Sequence, residues 1–451
     1  AERILLPRIA DLIYDVLHLM GTCAEEESIY FLVLDFVDAF FRVPLNMNER
    51  HYFVVEYAGR FLQWNRVAQG STNGPQVFGR LAALVGRLTQ SALDPHKALL
   101  QIYTDDPVIA IKGTKEEAEH IVTAAVLLWR CMGLDLAYHK GQFDSAVTWI
   151  GHDVTVSMDD GTVTAAIKAA FMQELLADAE AMLKINQVGR KDLRSFTGKA
   201  NHVASLVWTW KPFLDELWAA AESNVKTNAR RGRVWTKQVS GSLRWLVAFM
   251  TEQSGEVSRT WSLLAHRTPA TNLAIVSDAS PWGLGAVLYL DGVAIAYYIS
   301  DLTILDVRRY RYSIGDHRGQ QVWEALAILI ALKAWAPIFV GKRFALTVKS
   351  DNVTALTMVL RMKAAPGPLK AIAKEMAMTL SSSPYRPHAA VHIPGLTNTV
   401  ADVLSRRLDP AKQPWQLPAE LRDIEETKLP TRDASYYTVP YAGRGSVGVE
   451  G

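Results

Sequence analysis

The spacing of apolar and polar positions changes several times along the chain, and each change predicts an element. Residues 5–20 repeat at helical spacing, with Ile13, Val16 and Leu17 on the apolar stripe. Phe31-Leu32-Val33-Leu34 is instead a continuous apolar run closed by Asp35, the pattern of a buried strand. Residues 51–57 and 60–67 flank Ala58-Gly59 and predict a hairpin, and residues 75–90 return to helical period. Two strand segments over 99–113 surround the tip Thr104-Asp105-Asp106. A helix over 115–133 closes at Gly133, residues 148–156 read as one strand, and Asp160-Gly161 marks a tight turn. From about 165 to 250 the pattern is largely helical. Residues 224–237 are polar and basic and read as a linker or a solvated helix start.

A second β-rich block starts near 271. Residues 273–280 predict a strand that brings in Asp278, and 285–300 a hairpin around Asp291-Gly292. A long apolar helix covers about 320–337. Residues 343–352 give a strand running into Asp351, and 389–395 precede a short helix at 399–407. Beyond Pro410 the periodicity fades, so 409–451 reads as a tail. Strands and helices segregated in this way predict an α+β chain.

Length and composition narrow the class. The 451 residues suffice for two to four domains, and 49% hydrophobic with 21% charged residues describes globular rather than disordered protein. A net charge of +2 neither announces nor excludes a nucleic-acid partner, because local patches decide that. No run reaches about 18 consecutive apolar residues, so no membrane span is expected. Residues 1–13 lack the layout of a signal peptide. Cys23 and Cys131 form no CxxC or zinc spacing, which fits a reduced, intracellular setting.

Two sets of carboxylates carry the candidate chemistry. Asp35 and the Asp105-Asp106 pair stand at the ends of apolar strand runs. Carboxylates converging there repel one another unless a cation lies between them, and a pair of magnesium ions would serve phosphoryl transfer. Read singly, Thr104-Asp105-Asp106 is equally a hairpin turn and Asp35 a strand-end cap. The second set is Asp278, Glu324, Asp351 and Asp402. Glu324 interrupts an apolar helix, where an ionised carboxylate is costly unless paired, exposed at one edge or bound to metal. Asp402 follows Asn398 in the first turn of a helix and is explained by the helix dipole alone. Asp351 has an alternative as a turn cap with Asn352.

Residues 34–45, LDFVDAFFRVPL, resemble the first polymerase motif of retroviral and retrotransposon reverse transcriptases, and Tyr103-Thr104-Asp105-Asp106 resembles their Tyr-x-Asp-Asp box. QGSTNGPQVF (69–78) resembles the motif lining the nucleotide pocket, HKGQF (139–143) the lysine-bearing motif, and WIGHDV (149–154) the primer-grip hairpin. Residues 191–207 resemble the thumb helices of gypsy-like and tyrosine-recombinase-type retrotransposons. SDASPWGLGAVL, the Glu324 helix, KSDN and IPGLTNTVADVLSR together resemble a retrotransposon RNase H. Ala68 stands where the family usually has Pro, and Gly141 where Cys is common.

The resemblance implies a reverse-transcriptase palm, an antiparallel sheet with helices, with partial fingers (1–160). A helical thumb (161–223), a connection (224–270), an RNase H-like domain with a mixed sheet (271–408) and a tail (409–451) would follow. It implies RNA-directed DNA polymerase and RNase H activities. Asp35, Asp105 and Asp106 would hold one pair of Mg²⁺ ions and Asp278, Glu324, Asp351 and Asp402 another, with Mn²⁺ as a substitute. Phe36, Phe40, Gln69, Gly70 and Lys140 would meet the nucleotide, Phe40 as a steric gate against a 2′-hydroxyl. Trp149, Ile150 and Gly151 would grip the primer. Phe40 remains open as a core aromatic, Gln69-Gly70 as a plain loop and Lys140 as a surface lysine. The implied partners are an RNA template, a DNA primer, RNA–DNA hybrid and dNTPs. The family's triphosphate-gripping fingers segment would precede Ala1, so a chain starting there is expected to lack it. The alternatives are a truncated or domesticated fragment that binds nucleic acid without polymerising, and a hybrid nuclease alone. The sequence says nothing of oligomeric state.

Overall fold

The structure is a computed structural model and describes residues 5–223, 229–251, 257–267, 271–339, 344–363, 367–381 and 389–438. The chain divides into two compact units, Ala1–Phe171 with Ser258–Thr268, and Met172–Val257 with Pro269–Gly451. The fold is α+β, as expected.

The first unit is built on a four-stranded antiparallel sheet. Its order is Ala98–Tyr103, Asp106–Gly113, Ser28–Val33 and Gln142–Asp144. The two central strands are the continuous apolar runs, and Val108, Ile109, Ala110 and Ile111 are fully buried. Helices Ile9–Met20, Gly74–Ala92 and Lys115–Cys131 cover the sheet. The Trp129 indole donates to Thr89 Oγ1 (2.9 Å) and ties the last two together. Helix Lys115–Cys131 starts at a Thr114/Glu117 capping box, and the chain turns at Gly133 (φ +78°). The hairpin around Ala58-Gly59 forms between Val54–Tyr57 and Arg60–Gln63, and every residue of its strands is exposed.

A second sheet corrects two expectations. Residues 148–156 are not one strand: Ala146–Trp149 and His152–Ser157 form a hairpin across Ile150-Gly151, both at positive φ. Strand Ser258–Ser262, expected in the connection, pairs with Thr162–Ile167, expected in the thumb. The expected palm–thumb boundary at 160 therefore falls inside a sheet.

The second unit holds helices Arg190–Leu206, Lys211–Glu222 and Ser240–Met250, and a five-stranded mixed sheet. The sheet order is Val293–Asp301, Gly283–Leu290, Thr271–Ala279, Phe344–Ser350 and Ala389–His392. The first three strands run antiparallel and the last two pair in parallel. Helix Gln320–Phe339 packs on this sheet and is buried on nearly all sides. It is long and apolar enough to cross a membrane by length and composition, but most of it is buried in this unit, which accounts for its uniform apolarity.

The basic 224–237 segment, expected to be a linker or helix start, contributes strand Arg233–Trp235, paired with Gln187–Gly189. Parts of the expected connection (224–228, 252–256 and 268–270) and tail (439–451) lie outside the described residues. The rest of the tail packs onto this unit. Trp415 donates to Val403 O (2.7 Å) and Leu421 is buried. Glu426 bridges in parallel to the outer strand at Tyr297, and Arg432 inserts against Asp306. These anchors are single side chains without periodicity, so the hydrophobic pattern misses them.

Candidate active sites

In the first unit the two central strands bring distant carboxylates to one end of the sheet. Asp35 lies just beyond Ser28–Val33. Leu34 N–H donates to Pro107 O (3.2 Å) and Phe36 N–H to Asp105 O (3.0 Å), which clamps the Asp35 backbone against the hairpin tip. The tip is a two-residue turn closed by the Tyr103–Asp106 pair, with Thr104 at φ +56°. A β-branched residue is strained there, in a position that favours glycine. The Trp149 indole holds the far side of the tip by donating to Asp106 O (3.0 Å).

Burial, and then the neighbouring Asp105 and Asp35, push the Asp106 carboxyl up to about 6. Burial first, and Asp35 next among the raising charges, also raises Asp105. Lys140, from the short turn Tyr138–Lys140, forms an ion pair with Asp35 and opposes both shifts. The expected lysine is therefore at the site, and its ammonium is largely exposed.

The other expected residues divide. Phe40 is half-buried against Phe78 (ring centroids 5.2 Å apart), while Phe41 stacks on Trp64. Gln69 and Gly70 lie in an exposed turn, Gly70 at φ +89°. Trp149 is buried and Ile150-Gly151 form the hairpin turn beside it. Phe36 can meet a nucleotide through its backbone only. Its ring is buried edge-on against Trp129, so only its backbone reaches the site edge.

The second unit gathers Asp278, Glu324 and Asp351 so that one carboxylate oxygen from each lies within 4.8 Å of the others. Asp278 comes from the central strand, Glu324 from the buried helix and Asp351 from just beyond Phe344–Ser350. Burial pushes Asp278 up to about 7. The Ser405 hydroxyl, which donates to its Oδ2 (2.7 Å), opposes this, and Asp402 and Asp351 add to it. Glu324 is raised well above the usual carboxylate range by burial and by those two aspartates. It accepts from Gln320 Nε2 (2.9 Å), Ala279 N–H (3.3 Å) and Ser350 Oγ (3.3 Å). No cation pairs with Glu324 among the described residues.

Two other buried acids of this unit act as internal controls. Asp306, 1% exposed, is paired with the buried Arg432 guanidinium, and Glu375 is paired with Lys333. Where a buried acid is structural, a basic side chain accompanies it. Glu324, 2% exposed, has none, so the donor set of this site fits a hard divalent cation. Asp402 departs from the expected foursome. It is close enough to raise Asp278, but its carboxylate pairs with Arg406 one helical turn on (2.6 Å) and stands outside the three-way cluster.

Sequence reasoning missed the groups that orient these carboxylates. Gln320 and Ser405 were legible as helical neighbours, four residues before Glu324 and three after Asp402. Ser405 also takes a hydrogen bond from Ser280 Oγ on its carbonyl (2.6 Å), which docks its helix on the sheet.

Residues 6–154 match the family model described as reverse transcriptase (RNA-dependent DNA polymerase). No curated protein matches the chain. Among solved structures, it is similar to the foamy viral protease-reverse transcriptase in complex with double-stranded DNA. In one such structure, of the dRH form, the identity is 16%, the coverage 84% of this chain and 59% of that one, and the TM-score 0.40. In another the values are 15%, 88%, 72% and 0.40. For the complex with RNA/DNA hybrid they are 15%, 84%, 46% and 0.38. The chain thus spans about three-fifths of the first of these structures.

Proposed function

We propose, with the reverse transcriptase domain over residues 6–154 as premise, that this chain is the polymerase–RNase H part of a retroelement. It would copy RNA into DNA and cleave the RNA strand of RNA–DNA hybrids. One observation carries the reading: each unit gathers acids from distant chain positions to one point, Asp35 with Asp105-Asp106, and Asp278 with Glu324 and Asp351. We assign the palm with partial fingers to the residues up to 167 together with strand Ser258–Ser262, the thumb to the helices from there to 223, the connection to the rest of 224–270 and the RNase H-like domain to 271–408. The mixed sheet order and the four strand- or helix-borne acids support the last of these.

Mg²⁺ pairs, with Mn²⁺ as substitute, would be held by Asp35, Asp105 and Asp106 and by Asp278, Glu324, Asp351 and Asp402, supplying charge neutralisation and an activated nucleophile for in-line displacement. The chain's own groups do the rest. Lys140 leaves Asp35 for a phosphate oxygen of the incoming dNTP, and its Nζ carries the proton available to the leaving pyrophosphate. Phe40, packed against Phe78, excludes a 2′-hydroxyl. Gln69 and Gly70 border the nucleotide, and the Trp149–Gly151 turn supports the primer end. Asp402 moves from Arg406 towards Asp278. Template, primer and hybrid are the partners, in an intracellular setting where the unbridged Cys23 and Cys131 stay reduced.

A second reading, a hybrid nuclease only, is favoured by the Lys140–Asp35 ion pair, which leaves the first site partly neutralised while the second has no such partner. Primer extension on an RNA template and cleavage of a hybrid, each with Mg²⁺ and with EDTA, separate the two. Extension lost on Asp105→Asn and cleavage lost on Asp278→Asn support the full reading. Cleavage without extension supports the second. Salt-sensitive binding with neither activity supports a domesticated fragment.

A further inference from the structure

Residues 229–237, within the basic segment expected to be a linker or a helix start, form a built surface with residues 185–190. Strands Gln187–Gly189 and Arg233–Trp235 pair as a short antiparallel ribbon, Gln187 opposite Trp235 and Gly189 opposite Arg233. Val188 and Val234 face the interior and are buried, so by strand alternation Gln187, Arg233 and Trp235 share the outer face. The ribbon is fixed by its ends. Thr236 Oγ1 donates to Ile185 O (2.6 Å), Thr236 N–H to Asn186 O (3.0 Å), and Arg190 N–H to Gly232 O (2.8 Å). Gly232, at φ +77°, makes the turn that sends the chain back along the ribbon.

On this face Ile185, Asn186, Gln187, Arg230, Arg233 and Trp235 line a concavity of about 350 Å³. Trp235 is 36% exposed although it is a large aromatic. Arg230 and Arg233 line the concavity, Arg190, Lys191, Arg231 and Lys237 flank the ribbon strands in the sequence, and none of the six has an acidic partner among the described residues. Arg194, by contrast, is paired with Glu222. Asp192 is the one acid in residues 186–194 and 229–237, within a chain whose net charge is only +2. The 17-residue helix Arg190–Leu206 also points its N-terminus at this face from Gly189, adding to the positive potential.

We propose that this ribbon binds a single-stranded stretch of nucleic acid, with phosphates on Arg230 and Arg233 and one base stacked on Trp235. Charge alone would equally suit an acidic protein. An exposed indole in a concavity lined also by Arg230, Arg233, Asn186 and Gln187 suits a base and its phosphate. The choice of partner rests on the nucleic-acid reading given above, but the binding needs neither acidic site.

The test uses the full chain and a short dye-labelled single-stranded oligonucleotide, with anisotropy and Trp fluorescence as readouts over a salt series. Arg230→Gln with Arg233→Gln weakens binding about tenfold and flattens the salt slope by about 0.7 per lost phosphate contact. Trp235→Leu weakens binding about tenfold and removes the fluorescence quench. Thermal unfolding confirms that both variants fold. The parent binds the oligonucleotide equally with Mg²⁺ and with EDTA, so a failure of the nuclease reading leaves this result standing. Parental affinity and salt slope in both ribbon variants overturn the proposal. So does displacement by an acidic polypeptide in a parent that does not bind the oligonucleotide.

Discussion

The two acidic sites solve the same electrostatic problem differently. In the first, Asp35, Asp105 and Asp106 stand at one end of the sheet, and an exposed lysine already offsets part of their charge. In the second, Asp278 and Glu324 are buried, and only neutral donors reach Glu324: Gln320, Ser350 and a backbone N–H. Neutral hydrogen bonds do not cancel the cost of burying charge. The first site can therefore stand ionised without a metal. The second is driven towards protonation until a divalent cation enters. The Asp306–Arg432 pair, in the same unit and as deeply buried, rules out burial alone as the explanation.

The largest effect should come from removing Glu324. Glu324→Gln lowers hybrid cleavage at least about a thousandfold, while raising the unfolding temperature in EDTA because one repelling acid is gone. Equal or lower stability in EDTA would erase the contrast between the sites. Arg432→Met should do the reverse. Stranding Asp306 without its cation costs about 3–5 kcal/mol of stability, read by denaturant unfolding. Proximity without energetic coupling would leave stability unchanged.

The pH dependence of stability in EDTA comes next. Asp278 is raised to about 7, chiefly by burial, above an unfolded value of about 4. A raised folded pKa gives stability that is complete below about pH 4 and is lost as pH rises through 7. At about 1.4 kcal/mol per pKa unit the decline amounts to a few kcal/mol, and saturating Mg²⁺ should abolish it. The smallest effect is expected at Lys140. Lys140→Gln removes a cation that lowers Asp106, so the acidic limb of the primer-extension pH profile moves up by up to about one unit. An unmoved limb would separate Lys140 from the carboxylates.

Much of this contrast was legible in the sequence because buried strands are written as unbroken apolar runs, and each acid interrupts or ends one. Asp35, Asp105, Asp106, Asp278 and Asp351 were found that way, and Glu324 by its intrusion into an apolar helix. The turns at Asp291-Gly292 and Asp160-Gly161 were equally plain. The hairpin over 146–157 was missed by the periodicity, because its turn places Ile150 where Asn or Gly is usual, and only the resemblance of 149–154 to a primer-grip hairpin pointed to it. That the Phe36 ring belongs to the core was not legible, because two residues along an apolar run cannot be sorted into core and site without the Trp129 contact. The tail was missed because its anchors, Trp415, Leu421 and Arg432, follow no period. The ribbon was missed because a three-residue strand in basic sequence carries too little pattern.

The most direct measurement is calorimetric titration of the full chain with Mn²⁺ below pH 7, comparing the parent with Glu324→Gln and Asp278→Asn. The account predicts cation binding accompanied by proton release in the parent, with both reduced in each variant. Identical binding and proton release in all three proteins would contradict it.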